Sequence, residues 1–220
     1  MCTFVNDPAP ADGENQWVLD NPQMREFIGA VDAIRRKDIA PEAMLQEMRP
    51  YFVGLLADQD WLPAVYQEPF EGSGMGSGIG MWLLYRAGDG SLAFSTLVVP
   101  AGAETPVHDH LAWGLVGLYR GTQREVVYGR TDDGSIDGTA ALEVMQEHDL
   151  ESGDMYDLLP AVDIHRVRTT SEVTSVSLHL LGIDNGCIVR HRFFPDEGRV
   201  VPFTSGYVNL PCKETAGAAD

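Results

Sequence analysis

Basic residues are scarce in this chain: 15 Lys and Arg stand against 33 Asp and Glu in 220 residues, a net charge of −18. Such an acidic surface repels polyanions, which argues against nucleic acid or an anionic membrane surface as a partner. Cysteine is rarer still. Cys2, Cys187 and Cys212 are an odd number with no short spacing, which suggests neither a disulfide framework nor a zinc knuckle and predicts reduced thiols. No apolar run approaches the roughly 20 residues that a membrane-spanning helix needs. The stretch MCTFVNDPAPADGENQ has no basic segment leading into an apolar block, so it does not read as a secretory signal, and the protein is expected in the cytoplasm.

What is present suits one soluble domain: 44% of residues are hydrophobic and 9% aromatic, and a chain of this length can bury a substantial core. Residues 1–67 read as a loose leader followed by a helical cap. Within it Asp20 or Asn21 can cap a helix that opens at Pro22, with Met24, Phe27, Ile28, Val31 and Ile34 on one face. A second stripe, Met44, Leu45, Met48, Phe52, Leu55 and Leu56, predicts another helix, which Pro50 should kink or split. Residues 68–80, EPFEGSGMGSGIG, lack the Gly-Lys-Ser/Thr ending of a phosphate loop and are expected as a flexible connector, with a lid as the lesser reading.

From Met81 to the end, residues 81–220, the pattern changes to short strands separated by turns such as GDG, TDDGS and ESGD. Nine strand segments follow one another with no helical period between them. The predicted fold class is therefore mainly β, an antiparallel sandwich or barrel of the jelly-roll or cupin sort, with an N-terminal α-helical segment.

The chemistry-bearing stretch is GAETPVHDHLAWGLVGLYRG, residues 102–121. If His108 and His110 lie on a strand they share one face and Asp109 points to the other. Some fifty residues later ESGDMYDLLPAVDIHRVRTT carries His165 after a Gly and a Pro, the second half of a two-part cupin arrangement in which the histidines converge inside the barrel. No acid stands in LAWGL, just after His110, which leaves three imidazoles as the ligand candidates and Asp163, on the face of His165, as the one carboxylate that could join them. Asp163, two residues before His165, is expected to orient that set. Three neutral ligands leave Fe(II) its full charge and open positions, which favours an anionic ligand such as a thiolate.

Several ordered motifs, TPVHDHLAWGLVGLYRG, DIHRVRTT, SVSLHLLG and VRHRFF followed by FTSGYVN, resemble the cysteine dioxygenase family over roughly residues 81 to 208. They are closest to its bacterial branch, the 3-mercaptopropionate dioxygenases. The resemblance implies a cupin thiol dioxygenase with His108, His110 and His165 as Fe(II) ligands, a small thiol and O2 as reactants, and a sulfinate as product. It also implies that Ser177 and His179 form an outer relay and that Arg190 holds the substrate carboxylate. Leu181 stands where the family's relay tyrosine should be. Trp113 is placed in the pocket wall or in the plain core. His148, among acids, is expected to be solvated, and His191 to face away from the site.

Two other readings stay open: an iron oxygenase that takes cysteine or a related thiol to a different product, and a non-catalytic cupin that binds a metal or small molecule. A monomer or small homo-oligomer is expected.

Overall fold

A computed structural model describes residues 13–212. Two helices, α1 (Pro22–Arg35) and α2 (Pro41–Ala57), precede strands β2 (Gly80–Arg86), β3 (Ala93–Val99), β4 (Val107–His108), β5 (Gly114–Arg120), β6 (Thr122–Arg130), β7 (Leu142–Glu151) and β8 (Met155–Leu158). Strands β9 (Ile164–Thr169), β10 (Ser175–Leu181), β11 (Arg190–Phe194) and β12 (Arg199–Phe203) follow, and β1 (Gln16–Trp17) precedes α1. They form two six-stranded sheets, in the orders β1-β2-β3-β10-β5-β8 and β12-β11-β4-β9-β6-β7. Every pairing is antiparallel. No helix among the described residues is long and apolar enough to cross a membrane.

Asn21 is the N-cap of α1: its side-chain oxygen accepts from Met24 N at 2.9 Å, and Pro22 takes the first turn, where its missing N–H costs nothing. Helix α2 is continuous through Pro50, contrary to a split. Pro50 lies on the exposed face, so the carbonyl it leaves without a helical donor is open to water, while Met48 and Phe52 stay fully buried. The apolar stripes of both helices cover the outer face of the first sheet in one cluster with Leu84, Phe94, Leu115, Val176, Leu178 and Leu180.

Strand alternation then does the work of placing the site. On β10, Val176, Leu178 and Leu180 face the helices, so Ser177, His179 and Leu181 face the space between the sheets. Strand β12 and the two-residue strands β1 and β4 lack a readable alternating pattern. Part of the expected leader is ordered: Gln16 and Trp17 pair with Arg86 and Tyr85. The rest of it, residues 1–12, lies outside the described residues. The glycine-rich connector turns repeatedly and carries Met75 into a buried cluster with Ile79, Met81, Leu97, Val99 and Val167.

The reduced-thiol reading is corrected. Cys187 and Cys212 form a disulfide across 25 residues of sequence. The β11–β12 hairpin returns the chain so that the two ends meet, a proximity that linear spacing does not reveal. Cys2 lies outside the described residues.

Candidate metal centre

Three buried histidines, His108, His110 and His165, each present a ring nitrogen to a common point, the three atoms lying within 4.8 Å of one another. Register places two of them: His108 on β4 pairs directly with His165 on β9. His110 arrives differently from the sequence expectation, because β4 ends at His108. Leu111, at φ 58°, is the one non-glycine residue with positive φ among those described, and it turns the chain just after His110. A leucine in that region costs about 1–2 kcal/mol. Asp163 offsets this: its Oδ2 accepts from His110 N at 2.9 Å and from Leu111 N at 2.7 Å. Asn185 Nδ2 donates to His110 O at 3.0 Å from the other side.

The donor set fits a divalent metal. His108 Nδ1 lies 2.8 Å from Pro106 O, so it carries the proton and the Nε2 lone pair is left for a ligand bond. His165 is held likewise by Glu125 Oε1, 2.7 Å from Nδ1, and its Nε2 is buried with no hydrogen-bond partner. His110 Nδ1 is also buried and unpartnered. Orphaned ring nitrogens of this kind are costly in a dry interior unless something binds them. Burial, reinforced by neighbouring charge, holds the pKa of His108 and His110 well below the usual imidazole range, which is the protonation state a metal needs. Burial likewise pushes Asp163 up to about 6, opposed by its two backbone hydrogen bonds.

Glu125 and Tyr156 were not singled out by sequence. Glu125 is 2% exposed on β6, facing His165. Burial opposes its charge, but hydrogen bonds from His165, His148 and Tyr156 outweigh burial and leave its pKa lowered. His148, expected as a solvated residue, is half exposed with Nδ1 3.0 Å from Glu125 Oε2. Tyr156 packs against Leu181 and its ring centroid is 6.3 Å from that of His165. A cavity of about 260 Å³, lined among others by Val127, Tyr156, Leu158 and Val162, reaches Glu125 and His165.

On the first sheet, Ser177 Oγ is 2.9 Å from His179 Nε2, and the His179 ring lies 6.3 Å from His110. Burial lowers the His179 pKa to about 3, so this imidazole is neutral.

Arg190 is 1% exposed on β11. Its Nη1 donates to Asp109 O at 2.7 Å and its Nη2 to Ser205 Oγ at 3.0 Å, while Nε has no partner. The guanidinium sits 4.4 Å above the Phe203 ring. Among the described residues no carboxylate forms an ion pair with it. Desolvation lowers its pKa to about 10.

His191 does face away, with its Nδ1 2.6 Å from Asp109 Oδ2. Trp113 packs with the helix-backed core, over Gly182, where an added Cβ would fall 2.2 Å from the indole.

Two facing antiparallel sheets with a histidine triad between them define the architecture. The fold is a two-sheet antiparallel sandwich, as the sequence pattern predicts. Among solved structures, the chain is similar to recombinant oxalate oxidase in complex with glycolate, at 15% identity and TM-score 0.36, over 45% of each chain. It is also similar to the Schizosaccharomyces pombe Cnp3 cupin domain, at 13% identity and TM-score 0.37, over 48% of this chain and 61% of that one. A cupin 2 conserved barrel domain protein from Rhodopseudomonas palustris matches at 15% identity and TM-score 0.37, over 52% and 69% respectively. The chain thus spans about half the length of the oxalate oxidase it matches. No protein-family model matches the sequence.

Proposed function

We propose that the chain is a non-haem Fe(II) thiol dioxygenase that oxidises a small carboxylate-bearing thiol, of the 3-mercaptopropionate or cysteine type, to a sulfinate with O2. The observation that carries this reading is the pairing of three buried, converging imidazoles with a buried arginine that forms no ion pair with a carboxylate among the described residues. Fe(II) held by His108, His110 and His165 would supply the redox chemistry by which both oxygen atoms of O2 pass to sulfur.

The chain's residues supply the rest. A buried guanidinium without a counter-ion is expensive, and an arriving carboxylate relieves that cost while two parallel hydrogen bonds fix its orientation. A site with no anionic metal ligand leaves the positive charge to the substrate thiolate. Ser177 and His179 offer a neutral, dry hydrogen-bonding pair at the other wall, and Glu125 keeps His165 in the tautomer that presents Nε2.

The deciding experiment is oxygen uptake by iron-loaded protein with 3-mercaptopropionate, cysteine and cysteamine, followed by mass spectrometry of the product. Thiol-dependent uptake with a product heavier by two oxygens is the expected result. Uptake with another product would favour a different iron oxygenase, and metal binding without uptake would leave a binding cupin.

A further inference from the structure

The glycine-rich stretch delivers one side chain to the buried arginine. Met75 is 1% exposed, and its Sδ lies 3.5 Å from Arg190 Nη2. The loop reaches that depth because its glycines allow what other residues would not. Gly76 has φ 123°, a conformation strained for any L side chain, and a Cβ on Gly74 would fall 2.5 Å from Thr204 O. Gly74 N donates to Ser205 O at 3.1 Å, so the two neighbours of Nη2, Met75 and Ser205, are tied together.

A thioether is a weak acceptor, a poor partner for a buried cation. The guanidinium nevertheless meets Met75, Ser205 Oγ, one backbone carbonyl and the Phe203 face, and it keeps an unpartnered Nε. Met75 and Ser205 are therefore the side chains that an anion bound at Nη2 would meet.

Resting on the thiol dioxygenase reading of this site, we propose that Met75 is the specificity-determining residue of the anion site: its thioether stands against Arg190 and limits the site to short-chain carboxylates. A short acid binds beside the thioether. A longer one collides with the methionine.

The test is equilibrium binding of propionate and hexanoate to the full-length protein, as wild type, Met75→Ala, Met75→Leu and Arg190→Gln. Neither acid has a thiol, so the measurement does not depend on turnover. Wild type should favour propionate. Met75→Ala should raise the hexanoate-to-propionate affinity ratio by about tenfold or more, because truncation opens room for extra methylenes in an apolar wall. Met75→Leu refills the volume and should keep the wild-type ratio. Arg190→Gln should abolish binding of both acids, which separates this site from any other binding. If Met75→Ala does not fold, Met75→Val should shift the ratio in the same direction by less.

An unchanged ratio, with binding lost in Arg190→Gln, overturns the role of Met75 and leaves the anion site standing. No binding in wild type, or binding that survives Arg190→Gln, overturns both the anion site and this proposal. Oxygen uptake with cysteamine, which has no carboxylate, would still decide the dioxygenase reading by itself.

Discussion

Glu125 Oε1 lies 2.7 Å from His165 Nδ1, and the carboxylate's other oxygen lies 3.0 Å from His148 Nδ1. One buried acid thus joins a member of the triad to a half-exposed histidine on the neighbouring strand. The consequence for the metal is that the His165 ring is held in place with its Nε2 turned to the triad.

Replacing Glu125 with Gln keeps the shape and removes the charge. Metal affinity, measured by competition with a chelator, should fall by about 10–100-fold, with circular dichroism unchanged. His165→Ala, which removes a ligand outright, should lose most of the metal. If Glu125→Gln binds metal as tightly as wild type, the carboxylate serves only to satisfy His148 and Tyr156.

Much of this arrangement was legible in the sequence, and the rest was hidden for identifiable reasons. His108, His110 and His165 stand out because imidazoles in an otherwise apolar strand pattern have few other uses, and nine strands show through alternation and turn residues. Glu125 was missed because Gln123 and Glu125 alternate with Val126 and Tyr128 across β6, a pattern that reads as a polar face turned to solvent. On this strand the polar face is instead the inner one, where Gln123 and Glu125 are each 2% exposed. The convergence of His110 came from a turn at Leu111 and not from strand alternation. The Cys187–Cys212 bond and the seat of Met75 on Arg190 both depend on contacts between distant segments, which no local pattern encodes.

His179 tests the second wall of the site. It is neutral and bonded to Ser177, so it can support a hydrogen-bond network without supplying charge. His179→Gln should leave iron content near the wild-type level and slow oxygen uptake, since groups beyond the ligands modulate a centre more than they abolish it. Turnover equal to wild type across the pH range would make His179 a packing residue.

The disulfide makes a separate claim on stability. It closes a loop between Cys187 and Cys212, 25 residues apart in sequence, and removing such a cross-link costs about 3 kcal/mol in the chain-entropy account. Reduction, or Cys212→Ser, should therefore lower the thermal midpoint by roughly 6–12 °C for a domain of this size. Thiol titration before and after reduction provides the control. A reduced protein that melts at the same temperature would mean that the C-terminal segment is held by its other contacts, among them the hydrogen bond from Tyr207 Oη to Asp184 at 2.9 Å.

The sharpest prediction concerns Arg190. An anionic substrate approaching a chain of charge −18 meets net repulsion, so its site must hold a compensating cation. Arg190 is fully buried, lacks an ion-pair partner among the described residues and keeps Nε unbonded. Arg190→Gln removes the charge and the planar fork while keeping much of the volume. Losing a desolvated charge pair costs about 2–5 kcal/mol, so kcat/KM for 3-mercaptopropionate should fall by roughly thirtyfold to several thousandfold. Cysteamine never uses the contact, and its kcat/KM should change far less. The ratio of the two losses carries the information, because a general disturbance of the barrel or the metal centre lowers both alike. Equal losses for the two thiols would mean that Arg190 supports the loop around Asp109 and Ser205, and the carboxylate would then need another anchor.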